Sequence, residues 1–318
     1  MSYLITGGTG LIGAYIAKLL VREGERVALY DVSPRPEILD MLLTKEEMGR
    51  VALVHGDIND LPHLMRTVKE HRASKIVHMA GILSMASSAN PHLAVKINCE
   101  GTANILEAAR ILDLEKVVYA SSNTVFGPTE KYGNGVIANN APHYPSTVYG
   151  ACKSFIERLA DYYFSEYGVD SVGLRFGAVY GIGHREGVAA GLTEELIVKP
   201  ALGKPGKIPY SPDELINWLY VEDAARGVVK SSRHARAKTG SFNIDGEICT
   251  AAAAVDYVKK LIPGADIGFL GGRTGFAGNY ETTPIREEIG YKPEWPLERG
   301  IEDIVNGVRA GGFGRPKN

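Results

Sequence analysis

The 318-residue sequence has little cysteine, little tryptophan and almost no net charge. Its three cysteines, Cys99, Cys152 and Cys249, stand far apart and are odd in number. That excludes a disulfide framework or paired zinc-ligand spacing, and all three read as packing residues in a reducing compartment. Thirty-five basic residues against 37 acidic ones leave a formal charge of −2. Such a balance offers no general attraction to nucleic acid or to anionic membrane. No apolar run approaches the ~18 residues of a membrane span, and a strand-like stretch begins so close to the N-terminus that no signal peptide is expected. The cytoplasm is therefore the expected location. Eight histidines are scattered without an i, i+4 pair, so no metal site is expected.

Glycine, by contrast, is abundant: 37 of 318 residues, well above the usual ~7%. The chain alternates short apolar runs with helical periodicity. Tyr3 to Ile5, Arg26 to Tyr30, Val51 to Val54, Lys75 to Met79, Lys116 to Ala120 and Ser171 to Arg175 read as strands. Leu11 to Arg22, Leu61 to Glu70, His92 to Leu112 and Tyr149 to Tyr167 read as helices. This alternation predicts an α/β fold with a doubly wound parallel sheet, because parallel neighbours need crossover connections. After about Val179 the rhythm fails. Gly181 to Pro212, rich in Gly and Pro, is predicted to be a looped cap. Beyond it, Asn217 to Val221 and Ser241 to Ile244 read as strands, and helical patterns start at Glu222, Ala251, Pro284 and Leu297. The expected division is a dinucleotide-binding unit at 1–178 and a small mixed substrate-binding cap at 179–318, with some cap segments returning to the sheet.

T-G-G-T-G-L-I-G, Thr6 to Gly13, follows the first strand and enters the first helix. Gly7, Gly10 and Gly13 suit a tight turn whose backbone approaches a pyrophosphate, with the free N–H groups of Leu11, Ile12 and Gly13 at the helix start. Asp31 ends the second strand 21 positions after Gly10, the spacing of a carboxylate that accepts both ribose hydroxyls of NAD and repels a 2′-phosphate. NAD is thus expected over NADP, although Arg35 is near enough in sequence to neutralise a phosphate. Tyr149 and Lys153 stand four apart on one helix face. A lysine ammonium there is expected to lower the tyrosine's pKa so that the phenolate takes a proton from an alcohol.

These motifs join others: G-D-I at Gly56 to Ile58, H-M-A-G at His78 to Gly81, I-N-C-E-G-T-A-N from Ile97, A-S-S-N-T-V-F-G at Ala120 to Gly127, and Y-G-A-C-K from Tyr149. Together they resemble the extended short-chain dehydrogenase/reductase family, in its NAD-dependent epimerase/dehydratase branch, over nearly the whole chain. The resemblance implies a Rossmann sheet, NAD and hydride chemistry. It implies Ser122 as the hydroxyl on the reacting oxygen, Tyr149 as acid/base, and Lys153 as holder of the nicotinamide ribose. Asp57 and Ile58 would flank the adenine, Ala80, Gly81 and Ile82 would line the ribose and phosphates, and Asn98 would stand near the sheet's carboxyl edge. The helices His92 to Leu112 and Tyr149 to Tyr167 look like the pair through which members form homodimers.

Two departures bear on substrate. Sugar-nucleotide members usually carry asparagine where this chain has Ala178, and an arginine before the late strand where it has Ile216 and Asn217. Arg185, Lys199, Lys204 and Lys207 are candidate replacement charges. The dehydratases place Asp and Glu where this chain has Asn123 and Thr124, which excludes sugar dehydration. His78 to Ser84 is similar to a stretch of the short-chain L-threonine 3-dehydrogenases, but the cap lacks their pattern. Ser84, Ser122, Thr124, Tyr149, Ala178, Arg185 and Trp218 are the expected substrate-binding residues, Trp218 as an aromatic wall. The expected function is hydride transfer between NAD and a secondary alcohol or ketone of a small polar molecule: a polyol, sugar acid or hydroxy acid. An epimerase using the same residues and a noncatalytic NAD sensor are the alternatives.

Overall fold

The computed structural model describes residues 2–133, 135–183, 188–235, 240–275 and 278–311. Twelve strands lie in three sheets. They are β1 (Ser2–Thr6), β2 (Arg26–Asp31), β3 (Val51–His55), β4 (Lys75–His78), β5 (Lys116–Ser122), β6 (Ser171–Phe176), β7 (Ala178–Tyr180), β8 (Gly206–Tyr210), β9 (Leu215–Tyr220), β10 (Ser241–Asn243), β11 (Glu247–Thr250) and β12 (Ile267–Gly272). The largest sheet runs β10-β6-β5-β4-β1-β2-β3, and every pairing in it is parallel. Its helices cover both faces, and the β-period of two divides the core accordingly. Tyr3 and Ile5 of β1 enter one apolar cluster while Leu4 enters the other; on β5, Val118 and Val117 divide in the same way. Strand order reverses between β1 and β4, where a doubly wound sheet opens a crevice at its carboxyl edge.

The remaining strands stand over that edge. β9 pairs parallel with β7 and antiparallel with β11, and β8 pairs with β12. Two segments from beyond residue 179 return to the main sheet. β10 continues it beside β6, and the helix Val221–Arg233 packs on one face, where Ser232 reaches Tyr3 Oη at 3.4 Å. The segment expected to be a looped cap is not all loop: residues 188–201 form a nearly continuous helical stretch whose middle, Glu194–Val198, is π-helical, and β8 follows. The predicted helix His92 to Leu112 also contains a π-turn, Val95–Glu100, between the turn Pro91–Ala94 and the helix Gly101–Ile111.

Candidate active site

A cleft of about 630 Å³ follows the carboxyl edge of the sheet from Asp31 and Asp57 at one end to Asn217 and Tyr280 at the other. Its floor is the β1–helix turn. Gly7 sits at φ +63°, and a Cβ there would stand 2.7 Å from Ala80 N, so glycine is required both by conformation and by the closeness of the β4 turn. The helix Leu11–Arg22 starts at Gly10 with no side chain capping it, which leaves its first N–H groups available to an anion. At the end of β2 the Asp31 carboxylate is held in place: Oδ2 accepts from Thr9 Oγ1 at 2.7 Å and Oδ1 accepts from Ser33 N at 3.1 Å. Gly10, Leu11, Ile12, Gly13, Asp57, Ile58, Ala80, Gly81 and Ile82 all line the same wall. An uncapped helix start, a turn that excludes Cβ and a fixed carboxylate fit the dinucleotide that the sequence implies. Asn98 stands behind this wall. It is 1% exposed, and both ends of its amide are used on Ile82: Oδ1 accepts from Ile82 N at 2.9 Å and Nδ2 donates to Ile82 O at 3.0 Å. The π-turn lets it reach that far. Asn98 thus shapes the wall without lining it.

Ser122, Tyr149 and Lys153 meet in the middle of the cleft. Ser122 ends β5, and its Oγ accepts from Thr124 Oγ1 at 3.0 Å and from Thr124 N at 3.2 Å while donating to Asn123 Oδ1 at 3.4 Å, a long bond open to exchange for a substrate oxygen. Tyr149 lies in the first turn of the helix Val148–Tyr167, whose N-cap Thr147 accepts from Gly150 N at 3.0 Å. Lys153, one turn later, donates to Ala120 O at 2.7 Å and lies 5.5 Å from the centre of the Tyr149 ring. The expected lowering of the tyrosine is not found in the protein on its own. Burial pushes the Tyr149 phenol up to about 12, with a hydrogen bond to Ser122 pulling the other way, and burial also pushes Lys153 down to about 8. Desolvation is the largest cause at both groups.

Among the described residues, the far end of the cleft is mostly neutral. Ser84, Thr124 and Ala178 line it as expected, and Leu192, Ile216, Asn217 and Tyr280 join them. Trp218 does not form a wall. It is 1% exposed and packs edge-on against Tyr180, 6.0 Å between ring centres, inside the core. Lys199, Lys204 and Lys207 do not line the cleft, and Lys199 is paired with Glu195. Arg185 lies outside the described residues. Tyr280 carries no motif in the sequence, yet it is buried against the site and its phenol bonds Asn123 Nδ2. His78 is buried between Thr6 Oγ1 at 2.7 Å and Thr102 Oγ1 at 3.0 Å. Among the described residues no cluster of three or more metal-ligating side chains occurs, and no helix is long and apolar enough to cross a membrane.

A family model described as the NAD dependent epimerase/dehydratase family matches residues 3–245. Among curated proteins, a putative UDP-glucose 4-epimerase of Methanocaldococcus jannaschii is 28% identical, covering 96% of this chain and 98% of its own length. Among solved structures, the UDP-glucose 4-epimerase of Thermus thermophilus in complex with NAD is 26% identical with a TM-score of 0.81, over 97% of this chain and 99% of that one. The L-threonine dehydrogenase of Phytophthora infestans superposes with a TM-score of 0.84 at 24% identity, over 97% and 100%, a likeness of fold alone.

Proposed function

Because the chain belongs to the NAD-dependent epimerase/dehydratase family and is an NAD-dependent enzyme, we propose that it oxidises a secondary alcohol of a small polar substrate, or reduces the ketone. The observation that carries this reading is the neutral lining that the described residues give the far end of the cleft. Ala178 and Ile216 occupy the positions of the polar anchor and the cation expected for a diphosphate, and the described lining there offers Thr124, Asn217 and Tyr280 instead. A diphosphate buried against such a surface would be left poorly paired, at a cost of a few kcal/mol. The same reasoning favours a polyol over sugar acids and hydroxy acids.

Gly7, Gly10, Leu11, Ile12 and Gly13 would hold the pyrophosphate, Asp31 the adenosine ribose, and Asp57 with Ile58 the adenine, while Ala80, Gly81 and Ile82 would line the second half. Bound NAD supplies the acceptor for the substrate's hydride. Ser122 would donate its hydroxyl proton to the reacting oxygen, since Thr124 already fills its acceptor side. Tyr149 would take the alcohol proton. Lys153 would hold the nicotinamide ribose and, once positive charge stands beside the phenol, favour the phenolate against burial.

A second reading, epimerisation at one carbon, is supported by the names of the relatives. NADH absorbance distinguishes them when NAD is mixed with polyols, aldonic and uronic acids, amino alcohols and nucleotide sugars and each mixture is analysed for products. Net NADH with a polyol is the expected result. A flat trace with a new stereoisomer of a nucleotide sugar would make the enzyme an epimerase and overturn the reading from Ala178 and Ile216. Tyr149→Phe is expected to lower kcat by at least ~100-fold with NAD affinity retained; full turnover in that variant would sink the mechanism.

A further inference from the structure

Two consecutive residues of β5 fasten the helix Val148–Tyr167, and the third lines the cleft. Ala120 offers its carbonyl to Lys153 at 2.7 Å, Ser121 donates its hydroxyl to Glu157, and Ser122 lines the cleft. Glu157 follows Lys153 by one helical turn, so both leave the same face. Arg175, the register neighbour of Ser121 on β6, grips Glu157 with its fork, Nε to Oε1 at 2.9 Å and Nη2 to Oε2 at 2.7 Å. Its other arm donates to Asn139 O at 2.6 Å and to Asn243 Oδ1 at 3.2 Å. Glu157 is 3% exposed and Arg175 6%. A buried ion pair is weak evidence for stability, since an apolar pair of similar size often stabilises such a site as well. Neither residue lines the cleft.

We propose that Glu157, held by Arg175 and Ser121, is a positioning residue that sets a carboxylate one helical turn from Lys153 and so keeps the ammonium charged. The proposal rests on the reading of Tyr149 and Lys153 as the catalytic pair. Lys153 faces Tyr149, Cys152 and Glu157 on its own helix, Cys99 on the neighbouring π-turn and His78 on β4. Glu157 faces Arg175 on β6, His143 in the loop before the helix, Tyr119 on β5, and Lys153 and Asp161 on its own helix. Burial pulls Lys153 towards neutrality, and Cys152, Cys99 and Glu157, in that order, oppose it.

The test reads Lys153 directly by titrating its ¹³Cε signal in lysine-labelled protein, assigned by its disappearance in Lys153→Met, and needs no substrate. Glu157→Gln is expected to move that titration at least about half a pH unit to the acid side, and Glu157→Asp to restore most of it. During turnover the alkaline limb of kcat should move by the same amount with KM little changed. An unmoved Lys153 titration in Glu157→Gln overturns the proposal even where activity falls, because the carboxylate would then only brace the helix. Should Glu157→Gln fail to fold, E157Q/R175M is titrated against Arg175→Met alone, so that only the carboxylate differs; an acid shift between the two supports the proposal and an unmoved titration overturns it. A shifted titration in a protein that turns over no substrate would sink the catalytic reading and leave the positioning role standing.

Discussion

His78 illustrates how much one side chain decides at the residue scale. Burial holds its imidazole neutral, down to about 3 from an ordinary 6.5, while both ring nitrogens serve threonine hydroxyls on β1 and the helix Gly101–Ile111. The unfolded chain therefore binds a proton at His78 that the folded chain refuses. Stability from this group is complete above about pH 6.5 and falls as pH drops towards 3, by up to ~1.4 kcal/mol per pH unit. Urea unfolding between pH 7 and 4 should show that dependence, and His78→Gln should lack this component of the slope. The residues legible in sequence are those whose meaning is local: the glycines before a helix, Asp31 at the end of the second strand, Tyr149 and Lys153 one turn apart. Trp218 was misplaced because strand composition does not say which residues face a cleft and which the core. Asn98 lies in a π-turn that periodicity does not show, and its amide bonds Ile82. Tyr280 arrives from a segment without any motif, and only the folded chain brings it to Asn123.

Among elements, the approach of the helix Val148–Tyr167 to the turn after β5 sets the spacing of Tyr149 and Ser122. Gly150 permits it, since a Cβ there would lie 2.5 Å from Thr124 O. Gly150→Ala must push the helix start away from Ser122, which is expected to cost about 1–3 kcal/mol of stability and to lower kcat at least ~10-fold, both measurable on the purified variant. Most strands and long helices of the main sheet were predictable because their apolar runs are uninterrupted. The cap was not. Residues 188–201 are helical despite Pro200 near their end and the surrounding glycines. β7, β8, β11 and β12 are short and held by partners distant in sequence, so their local patterns are weak.

For the whole molecule, the helices Gly101–Ile111 and Val148–Tyr167 pack together and keep Ile111, Phe155, Tyr162 and Tyr167 at 47–54% exposure. This is the face expected to meet a second copy. Sedimentation equilibrium should give twice the chain mass, and Phe155→Glu with Tyr162→Glu should give the monomer; a wild-type monomer would refute the dimer. The chain's order of assembly follows from the position of β10. During synthesis β6 emerges some 65 residues before the strand that pairs with its free edge, as the interval from Phe176 to Ser241 requires. Until then its backbone donors and acceptors stand open, and until residue 233 the helix Val221–Arg233 that covers one face is missing as well. A nascent chain stalled before residue 241 therefore carries an unprotected parallel edge, the kind of surface that chaperones shield and that neighbouring chains on a polysome can pair with by mistake.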